Sequence, residues 1–225
     1  LTQFSAKAIA IDLDGTLLHT APDLAEAANR MLAELHMPVL AEPVVMTYVG
    51  NGAAKLVKRL LTANMDGEPE AGLFECAMAI FFRHYADTLT LHTKPYAGVM
   101  QGLEQMKSAG FKLACITNKP ERFTLPLLKV MGMLDYFELV LSGDSLSKKK
   151  PDPMPLLHTC EKFGILPQQL VMIGDSAADT QASRAAGSVA FYVPYGYNRG
   201  LAATELDVDV VIDSLADVTD LVCLQ

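Results

Sequence analysis

Apolar and polar positions fall into two regimes along the 225-residue chain. The first strong signal is Ala8-Ile9-Ala10-Ile11, an unbroken apolar run cut off by Asp12-Leu13-Asp14-Gly15. A run of this length without alternation predicts a strand covered on both faces, as in a parallel sheet. From Pro22 to Thr88 the apolar residues recur at helical spacing and nothing alternates like a strand. Helices are predicted from Pro22 to about His36, from Glu42-Pro43 to about Tyr48, from Ala53 to about Thr62 with Asn51 as cap, and from about Glu70 to Thr88. From Pro95 onward the pattern changes. Apolar runs at 111–117, 138–141, 170–173, 189–193 and 208–212 alternate with helical segments at 99–108, 120–131, 153–163, 177–186 and 215–221. Pro126 is expected to kink or split its helix.

Strands that alternate with helices imply βαβ crossovers and a parallel sheet covered on both faces. The expected fold class is therefore α/β, a Rossmann-like parallel sheet core that carries an inserted helical domain. The core is expected to take residues 1–18 and 93–225, and the helical insertion residues 19–92. Hinges are expected near Leu18-His19-Thr20 and Leu91-His92-Thr93.

Composition narrows the partners. Lys and Arg number 18 against 26 Asp and Glu, a net charge of -8. Nucleic acid and anionic membranes are bound through basic surface, so neither is expected as the main partner. An anionic small molecule would need a local positive centre. Cys76, Cys115, Cys160 and Cys223 are scattered with no C-x-x-C, which reads as free thiols in a reducing compartment. With no signal-like opening segment and no apolar run of membrane-spanning length, a cytoplasmic monomer or homodimer is expected.

The chemistry gathers where the apolar runs stop. One ends in Asp12 and Asp14, another in Thr117-Asn118, a third in Gly174-Asp175-Ser176 with Asp179, and Lys148-Lys149-Lys150-Pro151 lies between the last two. Taken singly, Thr117-Asn118 is a helix cap ahead of Pro120, the lysines are a solvated loop, and Asp175, Ser176 and Asp179 serve the next helix. In a parallel sheet, however, all these strand ends lie on the one edge where ligands bind. Asp12 and Asp14 repel each other, so a cation, a shared proton or solvent must compensate. An ionised aspartate is a nucleophile without prior deprotonation. A second carboxyl beside it can protonate a leaving oxygen and then activate water. A phosphomonoester of about -2 with Asp12, Asp14 and Asp175 at about -3 leaves Lys150, at about +1, far short of neutrality. A hard divalent cation such as Mg²⁺ is the natural remedy.

Asp12-Leu-Asp14-Gly-Thr-Leu, Thr117-Asn118, Lys150-Pro151 and Gly174-Asp175-Ser-Ala-Ala-Asp179 resemble the four motifs of the haloacid dehalogenase superfamily of phosphohydrolases. The resemblance implies Asp12 as nucleophile and Asp14 as general acid/base. It implies phosphate binding by Thr117, Asn118 and Lys150, and Mg²⁺ held by Asp12, the Asp14 carbonyl and Asp175. Ser176 and Asp179 would be supporting residues, and the helical insertion a mobile cap. Tyr48-Val49-Gly50-Asn51-Gly52 and Lys94-Pro95-Tyr96-Ala97-Gly98-Val99 look most like the phosphoglycolate phosphatase branch, which implies 2-phosphoglycolate as substrate, cleaved to glycolate and phosphate through an aspartyl-phosphate. Gly50, Asn51, Gly52, Lys55 and Arg59 are the cap residues expected to bear on specificity. The rival readings are a hydrolase or mutase of another small phosphorylated metabolite (a sugar phosphate or pyrophosphate), and a non-catalytic binding protein on the same fold.

Overall fold

The structure, a computed structural model, describes residues 4–197 and 203–225. Its compact units are Leu1–Leu18 with Pro95–Gln225, and His19–Lys94. In chain order the elements are β1 (Phe4–Ala6), β2 (Ala8–Ile11), β3 (Leu18–His19), α1 (Ala21–Glu34), α2 (Glu42–Tyr48), α3 (Ala53–Thr62), α4 (Ala71–Thr88), β4 (Lys94–Pro95), α5 (Val99–Ser108), β5 (Lys112–Ile116), α6 (Glu121–Val130), β6 (Leu139–Leu141), α7 (Met154–Phe163), β7 (Leu170–Gly174), α8 (Ala177–Ala186), β8 (Val189–Tyr192), β9 (Val210–Val211), α9 (Val218–Leu221) and β10 (Val222–Leu224).

The first unit is built on a six-stranded parallel sheet of order β6-β5-β2-β7-β8-β9. All four residues of β2 are fully buried, which is why this strand carries no polar position. Ala8 and Ala10 pack with Leu156 and Cys160 of α7 and Ala182 and Ala186 of α8. Ile9 and Ile11 alternate onto the other face, also fully buried. In register, Ile11 lies opposite Cys115 and Ile173. Asp12, Thr117 and Asp175 therefore leave three neighbouring strands at nearly one level. Successive strands run outward from β2 in both directions, so this edge is the switch point where open α/β sheets place ligands.

The second unit is a small helical bundle. Ala77, Phe81 and Tyr85 form the buried stripe of α4, with the Phe81 and Tyr85 rings stacked 5.7 Å apart. On α1, Leu24, Ala28, Met31 and Leu32 are buried at the same spacing. Asp23 is buried among them. Its carboxylate accepts the backbone N–H groups of His92 (2.8 Å) and Thr93 (2.9 Å) and the Thr93 hydroxyl (2.6 Å).

Three expectations are corrected. Pro126 does not split its helix: α6 runs on through it, held by the buried Phe123, Thr124, Leu127 and Leu128 on either side. Asn51 is not the cap of α3; that position is Gly52, whose φ is positive (89°). The last helical segment is a 3₁₀ turn, Leu215–Asp217, followed by the single turn of α9. Two strand pairs were not predicted, the parallel pair β1–β10 and the pair β3–β4, because segments of two or three residues are too short to show a period. Among the described residues no helix is long and apolar enough to cross a membrane.

Candidate active site

The carboxyl ends of β2, β5 and β7 bring the named residues together. Asp12 follows β2 directly, and its backbone N–H bonds to the Ile173 carbonyl at 3.0 Å, which extends the pairing with β7 by one residue. Thr117 follows β5 and is fixed in the same way, its N–H on the Leu141 carbonyl at 2.9 Å. Asp175 follows β7. Oxygens of Asp12, Asp175 and Asp179 lie within 4.8 Å of one another. All three residues are buried.

Lys150 reaches this cluster from the loop before α7. Its ammonium lies 2.9 Å from Asp12 Oδ1 and 2.6 Å from Asp179 Oδ1, and it also donates to the Ile116 carbonyl. Burial disfavours the charge on Lys150, but Asp12 and Asp179 more than offset it and hold the lysine protonated. Asp179 has both oxygens engaged. Oδ1 takes Lys150, while Oδ2 accepts the Ser176 N–H (3.1 Å) and hydroxyl (2.6 Å) at the start of α8. Asp179 and Ser176 thus orient the lysine and the helix start.

Burial pushes the Asp12 carboxyl up to about 7; Lys150 opposes this, and the charges of Asp179 and Asp14 add to it. Asp175 is pushed well above the carboxylate range by burial and by the charges of Asp12 and Asp179. The Tyr197 N–H and the Thr16 hydroxyl (3.2 Å to Oδ1) work against that rise by donating to the carboxylate. Three buried acids with one shared lysine are short of positive charge, so the donor set fits a hard divalent cation with oxygen ligands.

The backbone leaves room for Asp175. Gly15 has φ +88°, and a Cβ there would lie 2.2 Å from Asp175 Oδ2; a Cβ on Gly196 would lie 2.3 Å from the same atom. The segment after β8 supports this wall. The Tyr195 hydroxyl donates to the Thr16 carbonyl at 2.9 Å, and the Tyr195 ring packs against Tyr96 with centroids 4.5 Å apart. Thr16, Gly196 and Tyr197 were not anticipated as parts of the site. The available signal was that Pro194-Tyr195-Gly196-Tyr197 follows an apolar run on the same sheet edge.

Lys119 was also missed. Its ammonium straddles the Asp14 carboxylate, 3.0 Å from Oδ1 and 3.2 Å from Oδ2. The signal was a lysine two residues after the strand-end Thr117, passed over in favour of the helix start at Pro120. The Asn118 side chain does not point a donor into the cluster; its amide donates to the Lys150 carbonyl at 2.8 Å and fixes that loop.

The helical unit's candidates form a local structure of their own. Gly50, Asn51 and Gly52 all have positive φ (111°, 64° and 89°). Arg59 is buried, and its guanidinium donates to the carbonyls of Tyr48 (2.9 Å), Gly50 (3.2 Å) and Met65 (3.0 Å). Its observed bonds therefore shape the Gly50–Gly52 turn. Lys55 lies 3.7 Å from Glu68, which also pairs with Lys58.

A family model described as haloacid dehalogenase-like hydrolase matches residues 9–193. The chain is 58% identical to a phosphoglycolate phosphatase of Thiobacillus denitrificans, over 94% of this chain and 93% of that one. It is 55% identical to a phosphoglycolate phosphatase of Nitrosospira multiformis, over 96% and 95%. A crystal structure from Haemophilus somnus, described as a predicted phosphoglycolate phosphatase, superposes with a TM-score of 0.90 at 35% identity over 98% of both chains. With its strand-end aspartates and lysine in the matched region, the chain belongs to the haloacid dehalogenase-like hydrolase family.

Proposed function

We propose that this hydrolase cleaves small phosphomonoesters, 2-phosphoglycolate before others, by attack of Asp12 on phosphorus. One observation carries the reading: the Asp12 carboxylate lies 2.9 Å from Lys150 and within 4.8 Å of the Asp175 and Asp179 carboxylates at a parallel-sheet switch point, with Asp14 two residues on. The substrate follows from the relatives' names, which two chains more than half identical to this one share.

In this reading the phosphoryl oxygens are held by the Thr117 hydroxyl, the Lys150 ammonium and the backbone N–H of Asn118. An Asp12 carboxylate oxygen bonds to phosphorus as the P–O bond to the leaving alkoxide breaks. Asp14 supplies the proton that makes this oxygen a hydroxyl. Asp14 then takes a proton from water, whose oxygen attacks phosphorus and returns Asp12 as a carboxylate with inorganic phosphate released. Asp12, Asp175 and the Asp14 carbonyl would hold Mg²⁺, which when bound neutralises negative charge that Lys150 leaves unbalanced. Lys150, kept in place by Asp179, faces both the nucleophile and the phosphoryl group.

The test is phosphate release from a panel of small phosphorylated metabolites, with and without Mg²⁺, for wild type and Asp12→Asn. The expected result is 2-phosphoglycolate well above the rest, with release abolished by EDTA and by the substitution. Broad, weak hydrolysis lost in the variant would keep the mechanism and remove the named substrate. Release that persists in pure Asp12→Asn protein would overturn the assignment of the nucleophile.

A further inference from the structure

We propose that Lys119 is the specificity residue for the carboxylate of the substrate, placed in the sheet unit beside the acid that protonates the leaving group. The inference rests on the phosphoglycolate reading above and asks which cation answers the substrate's second negative group.

Among the described residues three cationic side chains are buried: Arg59, Lys119 and Lys150. Buried cations of this kind are rare unless paired, so each calls for a reason. Arg59 is bonded to three carbonyls within its own unit. Lys150 serves Asp12, Asp179 and the Ile116 carbonyl. Lys119 stands against Asp14, so that Asp12 and Asp14 each have a lysine against them.

Distance argues for the role. The ester oxygen must come within hydrogen-bond reach of Asp14 to receive its proton, about 2.6–3.2 Å. In 2-phosphoglycolate the carboxylate is joined to that oxygen through one carbon, so its oxygens lie roughly 2.6–3.6 Å away by standard bond lengths. The Lys119 ammonium, 3.0 and 3.2 Å from the two Asp14 oxygens, borders the same region. A substrate carboxylate arriving there, beside the acidic cluster of Asp12, Asp175 and Asp179, needs a cation to answer it. Lys119 supplies that cation.

The lysine is also preorganised. Its N–H donates to the Thr117 hydroxyl oxygen at 3.2 Å, and its carbonyl accepts the Gly143 N–H at 2.8 Å and the Thr124 hydroxyl at 3.2 Å. The same turn thus carries a phosphate-binding threonine and, two residues later, the proposed carboxylate-binding lysine. Holding both groups on one rigid segment lowers the ordering cost of binding a two-headed anion.

The experiment compares kcat/KM for 2-phosphoglycolate with kcat/KM for 2-hydroxyethyl phosphate, which has a leaving group of similar length without the carboxylate. The ratio of the two is measured in wild type, Lys119→Met and Lys119→Gln, with folding checked by circular dichroism; the glutamine variant keeps the test available where the methionine variant does not fold. Loss of a charge-assisted hydrogen bond predicts that the ratio falls about 10- to 100-fold in both variants, whatever happens to overall turnover through Asp14. Lys119→Arg, which keeps the charge, is expected to retain most of the preference. A ratio unchanged in the variants, with both substrates slowed equally, would mean that Lys119 acts only through Asp14 and overturns the inference. Absence of the preference in wild type would instead bring down the phosphoglycolate reading itself, and the inference with it.

Discussion

Asp12 shows how a single residue can be placed against its own stability. In the unfolded chain its carboxyl titrates near 3.8, and in the fold burial lifts it to about 7. Between those values the native state binds more protons than the unfolded one, so stability falls as pH rises through this window and stays lower above it. In cation-free protein, Asp12→Asn removes this penalty, while Lys150 keeps Asp179 at 2.6 Å. The variant is expected to melt roughly 5 °C above wild type at pH 8 in EDTA, with the difference gone at pH 4. Differential scanning calorimetry checks this, and a lower melting temperature for the variant at pH 8 would contradict the sign. Arg59 makes the opposite case, a charge whose bonds hold a fold together. Arg59→Met leaves the carbonyls of Tyr48, Gly50 and Met65 without their donor. A loss of about 2–4 kcal/mol in urea denaturation is expected. From the sequence Arg59 was expected only to bear on specificity. Only the return of the 48–50 and 65 carbonyls to it, a tertiary event, reveals its part.

At the scale of elements, most of the fold was legible and the reasons are specific. β2 declares itself because burial on both faces leaves no polar position between Ala8 and Ile11. α7 and α8 each stop at a left-handed glycine, Gly164 and Gly187, which the sequence marks plainly. The strand-end aspartates could be ranked because a parallel sheet gathers such ends on one edge. Three things stayed hidden. Lys119 looked like part of a helix start, the Tyr195–Tyr197 segment had no charged residue to draw notice, and Asp23 is one acidic residue in the first turn of α1, with nothing in the sequence to set it apart. The structure gives Asp23 another task, tying the start of α1 to the segment at 92–93 that was expected to be a hinge. Asp23→Ala would leave two backbone donors and a hydroxyl unsatisfied in a fully buried place. A destabilisation of about 3 kcal/mol is expected, with Asp23→Asn milder because one acceptor oxygen remains. Chemical denaturation of the two variants decides this, and equal, negligible losses would show that the three hydrogen bonds carry little.

For the whole molecule the question is how far a ligand's stabilisation spreads. The carboxylate cluster belongs entirely to the unit of the parallel sheet, whereas α1–α4 form a unit with its own buried stripe. A cation that binds only the folded sheet unit stabilises that unit by about 2.7 kcal/mol at a hundred times its Kd. Units joined by two chain crossings share this gain only if they open together. Because Phe81, Tyr85 and the Asp23 hydrogen bonds give the helical unit a core independent of the cluster, local opening is expected to be separate. Hydrogen exchange with and without Mg²⁺ should then show slowed exchange in peptides covering 8–18, 112–119 and 170–180, and no change in those covering 21–34 and 71–88. Equal slowing in both sets would mean that the two units unfold as one block, so that the helical insertion draws its stability from the catalytic sheet. No slowing in either set would contradict the assignment of Asp12 and Asp175 to the cation, independently of any assay of turnover.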